Sequence, residues 1–295
     1  MNIAILITVH DRIDKTIKCL DSLFMSLVDV ESIKVDVFLT NDGSSDNTSL
    51  IVKKKYSYSN FFLLQADGSL FWNGGMINSW KAAMKHANYD GFLWLNNDVV
   101  LSTNLWEELI ETETFSINQY KKRGIYVGST CDPNTKKLSY GGFDFVNKWT
   151  LKDRFVIPDG KSIQPCQCAH GNITYISKEV VEKMGILHEG YIHGGGDHDY
   201  TYRAYKAGFP VLVMKNFVGI CENDHIKDGY ADFMKMSLKE RLKYMKSPFG
   251  FNLHNTLLFQ KRCFPYRFPL VWFTGYLKVL FPVFYFKLYR VLKTT

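Results

Sequence analysis

Polar residues follow three apolar runs of the chain, at points where their side chains could bind one ligand together. Asp98, after the run 91–95, could hold a divalent cation against a diphosphate and neutralise its charge. Asp42, after the run 35–39, could accept a hydrogen bond from the base or ribose of a nucleotide. Turns and helix caps also use Asp and Asn, so each segment alone has a purely structural interpretation. The three polar segments are Thr8-Val9-His10-Asp11-Arg12, Asn41-Asp42 and Asn96-Asn97-Asp98.

The spacing of apolar residues predicts a sheet that brings these segments together. Short apolar runs alternate with helical patterns, which is typical of a mostly parallel sheet with helices on both faces. Ligands of such α/β sheets bind at the carboxyl ends of the strands. We therefore predict a Rossmann-like central sheet, and a hairpin or mobile loop over 138–157. Strands are predicted at 3–9, 35–39, 61–64, 91–95, 124–128, 172–176 and 211–214, and helices at 12–25, 46–55, 74–86, 104–113, 178–184 and 200–206.

Composition and charge predict a globular chain with a basic end. Of the 295 residues, 46% are hydrophobic and 22% are charged, which suits a buried core. The net charge is +7, but residues 226–295 alone hold 13 Lys and Arg against three Asp and Glu. No zinc-finger or RNA-binding signature accompanies this charge, so we predict no nucleic-acid partner. We predict a domain over 1–225, with halves 1–130 and 131–225, followed by a basic, aromatic helical region over 226–295.

The end of the chain predicts a helical tail that lies on a surface. The charge-free runs 268–277 and 279–286 are shorter than the roughly 20 residues that span a bilayer. Basic residues interleave with aromatic residues such as Trp272 and Tyr276, which suits an amphipathic tail at an anionic membrane interface. Packing of the tail on the domain, or on the second subunit of a homodimer, is the alternative.

Cysteine use and the first residues predict a cytoplasmic protein. Six cysteines in a chain of this length do not form a disulfide framework. Cys166 and Cys168 lack a second pair at the spacing of a zinc site, and free thiols fit a reducing compartment. Residues 1–9 lack the basic start and cleavage site of a secretory signal. We therefore predict a location on the inner face of the cell membrane.

The ordered set of motifs over residues 1–262 resembles the family 2 glycosyltransferases, whose fold is called GT-A. The segment 8–12 resembles the first-strand nucleotide loop of that family, and Asp42 and Asp98 match its two acidic strand ends. Residues 68–78 are similar to the segment before the metal motif in rhamnosyltransferase-like members. Residues 196–199, Gly-Asp-His-Asp, look like the acceptor motif of the family.

The resemblance implies a role for each of these residues. Asp197 is the implied general base, because a sugar hydroxyl needs its proton removed as it attacks. Asp98 and His225 are the implied ligands of Mn²⁺ or Mg²⁺. Acceptor contacts are predicted at Trp72, whose ring could stack on a sugar face, at His170 and at Asp199, although Asp199 is also predicted to cap the helix that starts at Tyr200. The implied donor contacts are Thr8, His10, Arg12, Asp42, Asn73, Gly74, Asn96 and Asn97.

Two positions depart from the family pattern. Asn96 stands where the metal motif usually has Asp, and Gly196 replaces the Glu of the acceptor motif. These departures leave Asp98 as the one acidic residue of its motif. They support an alternative function, a catalytically weak scaffold that binds sugar nucleotides in a polysaccharide assembly complex. A nucleotidyltransferase is disfavoured, because residues 10–12 lack the glycines of its phosphate loop.

The function that the resemblance implies is that of an inverting hexosyltransferase assisted by a divalent metal. It would move a sugar from dTDP-rhamnose or a UDP-hexose to a hydroxyl of a glycan or lipid-linked acceptor. Both donors present the same imide N–H to Asp42, so the residues leave the two open. Membrane contact through the tail places this reaction in cell-surface polysaccharide synthesis.

Overall fold

The structure is a computed structural model that describes residues 1–223 and 230–287. The chain forms two compact units. The first consists of Met1–Glu189 and Gly196–Asn223. The second consists of Gly190–Gly195 and the residues after 223.

The first unit contains the predicted strands and helices in the predicted order, with further short strands between them. Its strands are β1 (Asn2–Val9), β2 (Lys34–Asp42), β3 (Phe61–Ala66), β4 (Gly91–Leu95), β5 (Val100–Leu101), β6 (Ile125–Cys131), β7 (Leu138–Tyr140), β8 (Gly142–Asn147), β9 (Lys152–Phe155), β10 (Gln164–Pro165), β11 (Cys168–Ala169), β12 (Ile173–Ser177) and β13 (Val211–Ile220). Its helices are α1 (Ile13–Ser26), α2 (Thr48–Lys55), α3 (Phe71–His86), α4 (Leu105–Tyr120), α5 (Lys178–Met184) and α6 (Gly196–Lys206).

The central sheet has the strand order β10-β13-β6-β12-β4-β1-β2-β3. Strand β1 pairs in parallel with β2 and β4, and β2 pairs in parallel with β3. Strand β12 lies antiparallel between β4 and β6. The carboxyl ends of β1, β2 and β4 therefore meet at one edge of the sheet, which confirms the predicted α/β class.

The buried core lies on both faces of this sheet. Successive side chains of a strand point to opposite faces, and β1 shows this division clearly. Ile3, Ile5 and Ile7 pack in a cluster with residues of α1 and α4, whereas Ala4 and Leu6 pack with residues of α3 and α6. Both faces are covered, as the unbroken apolar sequence of β1 requires.

Helix α3 lies unusually close to β1 at Gly75. A Cβ added at Gly75 would lie 2.0 Å from Oγ1 of Thr8, so no larger residue fits there without a shift. Trp80 and Trp94 fill the space between the helix and the sheet, and both are fully buried. The prediction that Trp94 belongs to the core is confirmed.

Two helices begin earlier than the sequence predicted. Helix α3 begins at Phe71 rather than at 74, because the carboxylate of Asp42 on β2 accepts hydrogen bonds from the N–H groups of Leu70 and Phe71. Helix α6 begins at Gly196. The prediction that Asp199 caps a helix starting at Tyr200 is therefore wrong, since Asp199 already lies inside the first turn.

The region 138–155 contains three strands, and the pairing of β8 with β9 confirms the predicted hairpin. Strand β7 pairs with β6 of the central sheet. Strand β8 lies between β9 and β11 in a separate three-stranded sheet.

The second unit is helical. Its core contains Phe233, Met245, Leu253, Val279 and Phe286. The described helices are α7 (Tyr230–Lys235), α8 (Leu238–Lys246), α9 (Leu253–Cys263) and α10 (Phe268–Leu280), followed by a helical stretch over 282–287. Within the residues that the structure describes, no helix is both long enough and apolar enough to cross a membrane.

The short segment 190–195 belongs to this helical unit because α9 holds it. The side-chain amide of Asn255 donates to the Gly194 carbonyl at 2.8 Å and accepts from the Ile192 N–H at 3.4 Å. Nε2 of His254 lies 3.1 Å from the Gly190 carbonyl. Asn255 is itself buried, so these bonds form away from water.

Candidate active site

The loop after β1 is held in a strained conformation that displays two basic side chains. Asp11 and Arg12 both have positive φ, which is uncommon for residues other than glycine. Hydrogen bonds to the loop after β2 maintain it: the Asp11 carboxylate accepts from the Ser45 N–H at 2.7 Å. His10 and Arg12 remain exposed at this loop, whereas Thr8 lies against α3.

Asp42 has a different setting from the one the sequence suggested. Its carboxylate is buried and accepts N–H groups of Gly68, Leu70 and Phe71 at 2.9, 3.3 and 2.7 Å. It therefore fixes the loop that starts α3. A direct bond from Asp42 to the donor stays a prediction.

Asp98 stands at the carboxyl end of β4 and carries the negative charge of its motif. Its side chain is 16% exposed, and Nη1 of Arg12 donates to its Oδ2 at 3.4 Å. The thiol of Cys221 lies 3.8 Å from its Oδ1. The predicted donor loop and the predicted metal residue thus meet in an ion pair.

The two asparagines before Asp98 are fixed by neighbouring elements. Oδ1 of Asn96 accepts the indole N–H of Trp72 at 2.7 Å, and the amide of Asn97 donates to Oγ1 of Thr16 on α1 at 3.0 Å. The N–H of Asn96 donates to the Asn172 carbonyl at 3.0 Å. These bonds set the direction in which the motif presents Asp98.

Asn73 and Gly74 lie in the first turn of α3. Asn73 is fully buried and donates to the His188 carbonyl at 3.0 Å. Gly74 lies next to the side chain of Leu70. Their predicted contacts with the donor stay predictions, and their position shows that they also set the packing of α3.

Asp197 lies in the first turn of α6, where the helix dipole favours a negative charge. Its Oδ2 accepts from the Gly171 N–H and its Oδ1 from the His198 N–H, both at 2.9 Å. The side chain remains 14% exposed. A carboxylate so held keeps a fixed direction, which general-base catalysis requires.

Opposing influences set the protonation of Asp197. Burial acts to raise the pKa of this carboxyl group, because it disfavours the charge. Among the opposing effects, the charge of His198 lowers this pKa most, followed by the charge of His170 and by the two N–H donors. Together they outweigh burial and hold the pKa of Asp197 below its ordinary value. Asp197 is therefore ionised at neutral pH.

An aromatic cluster surrounds the two histidines beside Asp197. The rings of His170 and His198 lie 5.0 Å apart, and Nε2 of His198 is 3.8 Å from Oδ2 of Asp197. Phe155 stacks on His170, and Phe143 contacts both histidines. His170 is predicted near the acceptor, whereas no role is predicted for His198, although its position next to Asp197 in the chain is a signal for one.

Asp199 is buried and pairs with a residue of its own helix. Its side chain is 1% exposed, and its Oδ2 accepts from Nε of Arg203 at 3.2 Å. This bond joins two successive turns of α6. A contact between Asp199 and the acceptor stays a prediction.

Trp72 connects the Asp98 motif with Asp197. Its indole N–H holds Asn96, while the other end of the ring lies against Gly171. A Cβ added at Gly171 would lie 2.6 Å from Cζ2 of Trp72 and 3.4 Å from Cβ of Asp197. The structure therefore brings Asn96, Trp72, Gly171 and Asp197 into one continuous set of contacts.

The predicted ligand His225 lies outside the described residues. In the parts of the chain that are described, no group of three His, Cys, Asp or Glu side chains is gathered around one point. Asp98 alone suits a cation that takes its other ligands from a diphosphate and water, as Mg²⁺ commonly does.

A sequence model described as Glycosyl transferase family 2 matches residues 4–184, more than half of the chain. The chain belongs to this family. No curated protein matches the chain. The family region contains β1, β2 and β4 with their polar ends, whereas Asp197 lies beyond it.

Solved structures of GT-A glycosyltransferases share the fold at low identity. TarS of S. aureus in complex with UDP has a TM-score of 0.54 at 12% identity, over 88% of this chain and 70% of that one. The mannosyltransferase PcManGT of Pyrobaculum calidifontis, in complex with GDP-Man and Mn²⁺, has a TM-score of 0.54 at 11% identity, over 99% and 79%. GalNAc-T7 with UDP, GalNAc and Mn²⁺ has a TM-score of 0.55 at 12% identity, over 76% and 44%.

Proposed function

We propose that this family 2 member is an inverting glycosyltransferase that moves a sugar from a nucleotide sugar to a hydroxyl group. The donor is dTDP-rhamnose or a UDP-hexose, and the acceptor is a glycan or a lipid-linked sugar in cell-surface polysaccharide synthesis. The complexes of the similar folds with UDP or GDP-Man support a nucleotide-sugar donor.

The observation that carries the proposal is the set of contacts from Asn96 through Trp72 and Gly171 to Asp197. It connects Asn96, two residues before Asp98 on the proposed donor side, to Asp197 on the proposed acceptor side. Inversion needs the attacking hydroxyl and the leaving diphosphate on opposite sides of the anomeric carbon, and in this proposal the two carboxylates serve those two sides.

Asp197 has the setting of a general base. Its carboxylate is ionised, partly exposed and oriented by two backbone N–H donors. As the acceptor oxygen forms its bond to the anomeric carbon, the hydroxyl proton passes to Asp197 and the bond to the diphosphate breaks. The His198 ring beside Asp197 stabilises the carboxylate before that transfer.

In this proposal, Arg12 and the region around Asp98 bind the diphosphate. The Arg12 guanidinium is 55% exposed on the strained loop after β1, so it can reach phosphate oxygens. A Mn²⁺ or Mg²⁺ ion held by Asp98, with His225 as a further ligand, would neutralise the leaving diphosphate. The Mn²⁺ in two of the similar structures supports this cofactor.

The proposed location is the inner face of the cell membrane, with the C-terminal region making a peripheral contact. A lipid-linked acceptor is presented at that surface. The basic charge of residues 226–295 favours an anionic leaflet.

The test combines donor binding with transfer. A thermal-shift screen of UDP, dTDP and GDP sugars, with and without Mn²⁺, identifies the donor class and its metal dependence. Asp197→Asn should then abolish transfer while the donor still raises the melting temperature. Asp232→Asn, which changes an exposed carboxylate on α7, is the control. Substantial transfer by Asp197→Asn would refute the base assignment.

The scaffold remains the second candidate, because the described residues around Asp98 supply a single carboxylate to the motif. Donor hydrolysis with Mn²⁺ separates the two. An enzyme hydrolyses its donor slowly and loses this activity in Asp98→Ala. A scaffold binds the nucleotide sugar without metal-dependent turnover.

A further inference from the structure

The last described helices of the chain direct a lysine side chain, Lys278, inward. Residues 268–287 contain two charged residues, Lys278 and Lys287. Nζ of Lys278 lies 4.4 Å from the ring centre of Phe251 and 5.7 Å from that of Phe286. The ring of Phe233 is 5.8 Å away, so Lys278 points inward among three phenyl rings.

The inward position of Lys278 costs free energy of hydration, and a function for the outer surface of the helix would account for it. Burial lowers the pKa of Lys278, because a charged ammonium group loses its hydration there. A helix on a water-exposed surface usually presents lysine outward and apolar side chains inward. Helix α10 presents the reverse arrangement.

The outer surface of α10 and the stretch after it is apolar. We call these eight residues the exposed apolar face, and each side chain is between 38% and 60% exposed. Positions 270, 273, 276 and 280 recur at the three- and four-residue spacing that forms one stripe of a helix. The face consists of Leu270, Trp272, Phe273, Tyr276, Leu280, Phe281, Val283 and Phe284.

The charge of the same unit decides what covers this face. Helix α8 exposes Lys239, Lys243 and Lys246, which lie on one side of that helix at spacings of four and three. Residues 226–295 carry 13 basic and three acidic residues. A second copy of the chain would bring the same positive charge and repel this region, whereas an anionic lipid surface attracts the region.

We propose that the exposed apolar face inserts into the boundary between headgroups and acyl chains of an anionic membrane, while the α8 lysines contact its headgroups. Apolar side chains gain by leaving water at that depth, and Trp and Tyr favour the interface. This surface is separate from the proposed sugar-transfer site. It would hold even for a protein without transfer activity.

The experiment measures binding of the full-length chain to vesicles. Vesicles of phosphatidylcholine alone, or with phosphatidylglycerol, are sedimented with wild type and with the double variant Phe273→Glu/Phe284→Glu. We expect the wild type to bind the anionic vesicles. The double variant should partition at least about tenfold more weakly, because two Phe side chains no longer insert into the bilayer. Leu50→Glu, on the 69% exposed Leu50 of α2, is the control and should bind as wild type does.

Three further measurements make the outcome decisive. Replacing Lys239, Lys243 and Lys246 by Gln should weaken anionic binding by about fivefold per lysine and reduce its salt dependence. Circular dichroism and nucleotide thermal shift should be unchanged in the double variant, which separates this proposal from the transfer function. The proposal would be overturned if the double variant bound vesicles as well as the wild type, or if the wild type did not bind them. It would also be overturned if the wild type were a dimer and the double variant a monomer.

Discussion

The indole N–H of Trp72 donates a 2.7 Å hydrogen bond to Oδ1 of Asn96. This bond ties the first turn of α3 to the motif that ends in Asp98. The same ring touches Gly171, whose N–H orients Asp197. One aromatic side chain therefore sets the distance between the two halves of the proposed site.

Replacing Trp72 by Phe tests this relationship. The variant keeps an aromatic ring but loses the N–H, and such a bond contributes about 1 kcal/mol. We expect kcat/KM to fall about five- to tenfold while the fold is retained. Steady-state transfer assays measure the change, with Trp149→Phe on the exposed β8–β9 turn as the control. Equal losses in both variants would contradict a positioning role for Trp72.

Replacing His198 by Gln should change how activity depends on pH. Asp197 must be ionised to accept a proton, so activity is present above its pKa and is lost as pH falls through it. His198 helps to hold the pKa of Asp197 below its ordinary value, against the effect of burial. Without His198 that pKa rises, and the acid limb of the kcat/KM profile moves to higher pH.

The control for this profile is His86→Gln, since His86 pairs with Asp36, a residue with no role in the proposed site. His170 also faces Asp197 and remains in the variant. A lower kcat with an unmoved acid limb would show that His198 acts through packing alone.

Replacing Arg12 by Gln separates binding from stability. Arg12 is 55% exposed, and ion pairs that reach the surface contribute about 0–1 kcal/mol to the free energy of unfolding. We expect an unchanged denaturation midpoint and a donor KM raised about tenfold, because a phosphate contact is lost. Lys15→Gln breaks a similar exposed pair with Glu222 and should leave the donor KM unchanged. A donor KM that Arg12→Gln does not alter would remove Arg12 from the donor site.

Two neighbouring glycines of α3 provide a matched pair for stability. Gly75→Ala places a Cβ 2.0 Å from Oγ1 of Thr8, so we expect a loss of about 1–3 kcal/mol in the free energy of unfolding. At Gly74 the nearest atom is Cβ of Leu70 at 3.1 Å, and Ala favours the helix by about 1 kcal/mol. Gly74→Ala should therefore be nearly neutral. Urea unfolding measures both, and equal stabilities would contradict the close approach of α3 to β1.

Much of the sheet could be predicted because its signals are local. The apolar run of β4 and the polar residues after it are adjacent in the chain, so both Trp94 in the core and Asp98 at the strand end follow from one segment. Parallel pairing of β1, β2 and β4 then requires their ends to meet.

The features that the sequence did not predict depend on distant partners. The start of α3 is set by Asp42, which is 29 residues away from Phe71. Lys278 is one of the basic residues of the predicted amphipathic tail, but the rings around it come from three other parts of the C-terminal unit. The contact of His198 with His170 also joins helix α6 to the residue that follows β11. Periodicity along one segment contains none of this information.

The bonds from Asn255 to residues 192 and 194 span more than 60 positions of the chain, and they affect the order of its synthesis. A ribosome releases the amino end first. The segment leading into Asp197 therefore emerges well before the helix that holds it. A chain that stops before α9 lacks Asn255, so residues 192 and 194 would lose the side chain that holds them.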